Sequence, residues 1–86
     1  MSTLMAPTIH LNGSSNASFT EGYQETAEAL RTSIDALYKI QPHARDYYVK
    51  GDSAYSVARD QHRARIESLQ KVLDEIIALW ESVESQ

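Results

Sequence analysis

The run IESLQKVLDEIIALWESV, residues 66–83, decides the fold. Its apolar members Leu69, Val72, Leu73, Ile76, Leu79, Trp80 and Val83 recur every three or four residues, the period of one helix face. At about 100° per residue, adding Ile66 and Ile77 widens that stripe to about 160° of helix surface. One antiparallel partner helix covers less than this, and a lone two-helix hairpin makes a poor core. The stripe therefore predicts a helix over about residues 54–83 that packs on a second helix and on further copies of the chain.

A second helix is legible upstream. Phe19, Tyr23, Ala27, Leu30, Ile34 and Leu37 share one face, whereas Glu21, Glu25, Glu28, Arg31 and Asp35 fall elsewhere. Ser18 stands three residues before Glu21, the spacing of a capping box, so this helix is expected over about residues 19–40. Pro42 disfavours helical geometry at Gln41 and ends it. Residues 41–52, QPHARDYYVKGD, carry no helical period and read as a connector, with Asp52 or Ser53 capping the next helix. Residues 1–17 read as an extended strap that includes Thr8-Ile9-His10-Leu11 and the turn pair Asn12-Gly13. The expected fold is all-α: an antiparallel helical hairpin over residues 18–86 with an extended amino-terminal strap, assembled into a homo-oligomeric bundle.

Charge is distributed unevenly along the chain. Between Lys39 and Arg65 six cations face three carboxylates, a balance of +3, while the remainder sets two cations against nine carboxylates, −7. His43, His62, Tyr47, Tyr48 and Tyr55 also lie in the basic stretch, with Tyr38 at its border. Cations, imidazoles and aromatic rings gathered in one segment of an acidic protein suit a small anion with flat faces. The plainer alternative is a solvated turn between helices. Net negative charge argues against bulk DNA or RNA as a partner.

Several residues are candidates for holding such an anion. Projected back from Leu69, the apolar stripe of the second helix meets His62 and Arg65 where aliphatic residues would be expected. An interior guanidinium must be answered, either by a carboxylate of a neighbouring helix, by simple exposure, or by a bound anion in a polar notch. Arg45-Asp46-Tyr47-Tyr48 leads into that region: arginine offers a planar fork to phosphate oxygens, and tyrosine offers a ring for a base and a hydroxyl. Arg59 and Arg63 are further phosphate candidates, and His10 and Asn12 could add hydrogen bonds from the strap of another subunit. The alternative for the strap is a lead-in whose Ile9 and Leu11 pack on a helix.

Catalytic signatures are thin. The sequence contains no glycine-rich phosphate loop, nucleophile elbow or metal-spaced histidine pair, so neither enzyme activity, metal nor cofactor is expected. There is no cysteine, residues 1–7 lack the charged start and apolar run of a secretion signal, and no apolar run nears the roughly 20 residues of a membrane span. The expectation is a cytoplasmic protein away from membranes.

Thr8-Ile-His-Leu-Asn-Gly13, Gly22-Tyr23, Pro42-His-Ala-Arg-Asp-Tyr-Tyr48, Gly51 and His62-x-x-Arg65 together resemble a group of short helical proteins encoded by bacteriophages. The resemblance spans Pro7 to about Val83. Several short phage proteins of similar size and helical make-up act as sponges for the nucleotide second messengers of bacterial antiviral systems, and the likeness to those is one of architecture. It implies noncatalytic sequestration of a small phosphate-bearing nucleotide, such as a cyclic oligonucleotide or an ADP-ribose-like molecule, in pockets at subunit contacts within the host bacterial cytoplasm. The main alternative is a protein-interaction module that inhibits or recruits a host protein through a helical face.

Overall fold

The computed structural model describes residues 4–10, 13 and 15–86. Two long helices, α1 (Asn16–Lys39) and α2 (Ala54–Glu84), form an antiparallel hairpin, and no strand occurs among the described residues. Helix α1 begins three residues earlier than the Ser18–Glu21 spacing suggests. Ser15 is the N-cap, in extended geometry, and its Oγ accepts the Ser18 N–H at 3.1 Å. A tertiary contact reinforces the earlier start: Asn16 Nδ2 donates to the Val83 carbonyl at 3.1 Å. The other end falls near expectation. The Ile40 N–H closes on the Leu37 carbonyl, and Pro42 follows two residues later.

The connector is more ordered than an aperiodic loop. Ala44–Asp46 and Tyr48–Lys50 each form a single 3₁₀ turn, and the second packs against α2. Gly51 then adopts φ +115° and ψ 166°, a region reserved for glycine, and the chain turns into α2. Ser53 precedes the helix without a side-chain cap, so the expected capping by its hydroxyl is not made.

The helices meet along one line. Ala27, Ile34 and Leu73 are buried there, flanked by half-buried Leu30, Ile66, Leu69, Ile76, Ile77 and Trp80. Burying a leucine or isoleucine side chain contributes about 1.5–3 kcal/mol, so this core is small. At the strap end Val83 is fully enclosed. Gln86 holds the strap with both atoms of its amide, Oε1 accepting from Ile9 N–H and Nε2 donating to the Pro7 carbonyl, each at 2.8 Å. No helix is long and apolar enough to cross a membrane among the described residues.

The molecule is a rod of 62 × 26 × 17 Å with a radius of gyration of 18.5 Å. A compact chain of this length would have a radius near ~12 Å.

Gly51→Ala tests the turn cleanly, because an added Cβ would meet no atom within 4 Å and only the backbone conformation opposes it. Urea denaturation should report a loss of about 1–3 kcal/mol. An unchanged midpoint would mean the turn relaxes at no cost.

Candidate functional site

Near the connector, the last turn of α1 and the first four turns of α2 enclose a cleft of about 450 Å³. Its walls are Tyr38, Gln41 and Pro42 on one side and Tyr55, Arg59, His62, Arg63, Ile66 and Glu67 on the other. The α2 members follow from helix geometry. Tyr55, Arg59, His62 and Ile66 recur at three and four residues and share the face turned to α1, while Arg63 stands one turn beyond Arg59 at the rim.

His62 fixes the geometry of this end. It is buried, at 5% relative exposure, and its Nε2 lies 2.7 Å from the Leu37 carbonyl. A carbonyl only accepts, so Nε2 carries the proton. Leu37 belongs to the last turn of α1, and its carbonyl, which accepts the Ile40 N–H, has a second lone pair for the imidazole. The imidazole thus clasps the end of one helix to the flank of the other. Among the described residues, no buried side-chain polar atom lacks a partner.

Arg59 is steered from two directions. Its guanidinium lies 5.8 Å from the centroid of the Tyr55 ring, and its Nε is 3.3 Å from Asp60 Oδ1. Both groups of the ion pair are largely exposed, so the pair adds little stability. The stacking over Tyr55 orients the guanidinium at the cleft wall. Arg63 makes no ion pair with any described residue, and neither do Arg45 and Arg65.

The residues singled out from the sequence separate into four places. Arg59 and His62 reach the cleft, as does Arg63. Arg45, Tyr47 and Tyr48 lie in the connector outside its walls, with Tyr48 77% exposed and Tyr47 half-buried. Arg65 is exposed on a flank of α2, turned about 60° from His62 around the helix axis. Of the three ways proposed for answering its charge, exposure is the one the single chain adopts. His10 sits at the far end of the rod beside the strap contacts to Gln86, with its ring over Gly13, where an added Cβ would come within 2.5 Å of Nε2. Asn12 lies outside the described residues.

Sequence reasoning passed over Tyr38, Gln41, Tyr55 and Glu67. Projection of the first turns of α2 onto the helix face that carries His62 would have found Tyr55, and the hairpin register then brings Tyr38 opposite. No family model, curated protein or solved structure matches the chain.

His62→Phe keeps a ring in place and removes the donor, so it should destabilise the hairpin by about 0.5–1.5 kcal/mol. Arg65→Ala should stay within about 0.5 kcal/mol of the parent. Chemical denaturation of the two variants measures the contrast, and a larger loss for Arg65→Ala would place that residue in the fold's support.

Proposed function

We propose that this chain binds a small phosphate-bearing nucleotide in the Arg59–Arg63 cleft and holds it unchanged. The observation that carries this reading is the grouping of two arginines one helical turn apart with Tyr55 on the same wall and Tyr38 on the opposite wall of a cleft of about 450 Å³. Its volume lies in the usual range for small-molecule sites, about 300–1,000 Å³. Arginine forks match phosphate oxygens, and aromatic rings at the walls suit a nucleobase. Gln41 and Glu67 add an amide and a carboxylate that can meet base edges or ribose hydroxyls. The local excess of cations between Lys39 and Arg65 favours an anion at this end of an otherwise acidic protein. The resemblance to short phage-encoded proteins points the same way, to sequestration of a nucleotide second messenger of a host antiviral system.

A second reading has its own observation. Ile40, Tyr48 and Val49 expose 69%, 77% and 75% of their surface around the connector. Such an apolar tip fits a module that docks on a host protein.

Calorimetric titration with cyclic dinucleotides, cyclic trinucleotides and ADP-ribose separates the two. For a nucleotide that binds, Arg63→Ala should weaken affinity by roughly 10- to 150-fold, the loss of a charge-assisted bond of about 1.5–3 kcal/mol. Tyr55→Ala should cost about 1–3 kcal/mol if a base stacks there. Arg45→Ala and Tyr48→Ala should bind as the parent does. Losses confined to the last two variants would move the ligand to the connector. Absence of binding by the parent, with Val49→Asp abolishing the biological effect, would favour the protein-docking module.

A further inference from the structure

Helix α2 carries a second apolar seam that α1 covers only in part. Arg65, Leu69, Val72, Ile76, Leu79 and Val83 follow one another at alternating spacings of four and three residues, the repeat of a coiled-coil seam. The seam towards α1 is built on Ile66, Leu73, Ile77 and Trp80, and Leu69 and Ile76 of the second seam also pack against that core. At about 100° per residue the two seams are centred roughly 90° apart around α2. Val72, in the middle of the second seam, is 42% exposed, Leu69, Ile76 and Leu79 are half-buried, and Val83 at its end is fully buried within the chain.

We infer that this seam pairs with the same seam of a second copy, antiparallel, about a two-fold axis near residues 70–71. Surface area supports a partner. The accessible surface is 6,492 Å², against roughly 5,100 Å² for a compact monomer of this mass. The excess surpasses the ~800 Å² per partner of a standard interface.

Charge selects the second copy and its direction. The stretch from Lys39 to Arg65 carries +3 and the remainder −7. Most of that acidic charge lies towards the strap end, in Glu21, Glu25, Asp74, Glu75, Glu81 and Glu84. Parallel pairing in register would stack Arg65 on its own copy and set like ends together. Antiparallel pairing sets the basic end of each rod beside the acidic end of the other. In that register Leu69 meets Val72 of the partner subunit. Arg65 meets Ile76 of the partner subunit, alongside its Glu75. In that register the seam residues from Arg65 to Ile76 pair with one another, and the axis falls within two residues of the midpoint of α2.

This pairing does not rest on the nucleotide reading, because Arg59 and Arg63 project on the other side of α2, away from Arg65 and Val72.

The chain has no cysteine, so introduced thiols report the register. Ser68→Cys and Glu75→Cys lie at the rim of the seam, where antiparallel pairing brings residue 68 beside residue 75 of the other chain. A mixture of the two variants should form a disulfide-linked mixed dimer at least tenfold faster than either variant alone. Self-linking of Ser68→Cys at the rate of the mixture would overturn the antiparallel direction. A parent chain that scatters light as a monomer at tens of micromolar would overturn the pairing itself. Val72→Glu should yield a monomer with helical circular dichroism, and any nucleotide bound by the parent should still bind that monomer. If Val72→Glu unfolds, the thiol mixture alone decides.

Discussion

Two helices share only one line of contact, and everything else in this molecule depends on keeping them in register along it. Apolar burial supplies the attraction through Ala27, Ile34 and Leu73, but a short greasy line does not by itself set register. Register comes from polar clasps near each end, built alike. In the last turn of each helix the carbonyls lack the usual donor four residues on, and a side chain of the other helix donates to one of them. His62 donates to Leu37 near the connector, and Asn16 donates to Val83 at the strap end. Each clasp adds a side-chain donor to a carbonyl that also accepts a backbone N–H, from Ile40 at Leu37 and from Gln86 at Val83, and fixes where one helix ends against the other.

The cleft is a consequence of the first clasp. With Leu37 tied to His62, Tyr38 and the chain leaving α1 are held opposite the early turns of α2. Tyr55, Arg59 and Arg63 then reach it because they stand one or two turns before, or one residue after, the clasping histidine. The histidine that looked like an anion ligand in the sequence therefore acts on the site by positioning it. The cations available to a ligand are its neighbours on α2.

Helix extents and the connector were largely legible, because they depend on local rules: apolar period, Pro42, and a glycine at the turn. The start of α1 was less so. Ser15 and Ser18 are both competent caps, and the choice is made by Asn16 reaching Val83, a contact 67 residues away in sequence. The polar break in the α2 stripe at His62 and Arg65 was visible as well, but it had two causes. His62 faces α1 and is buried with its partner, whereas Arg65, three residues on, has rotated out of the contact. A stripe about 160° wide cannot be assigned to one neighbour by periodicity, and the boundary between its two seams falls between these residues. The placement of Arg45 and Tyr48 outside the cleft depends on the paired 3₁₀ turns, which carry no apolar period to reveal them.

The proposed ligand and the inferred second copy would use different faces of α2, and the small core links them. A ligand in the cleft touches both helices, so it binds the closed hairpin in preference to an open chain. A second copy on the other flank needs α2 helical over its full length, which again is the folded state. Each partner shifts the same folding equilibrium, and each stabilises it in proportion to its occupancy. The two sites can therefore reinforce one another without sharing a residue. That coupling is strongest where the isolated fold is weakest, and a rod with one line of contact between its helices lies near that limit.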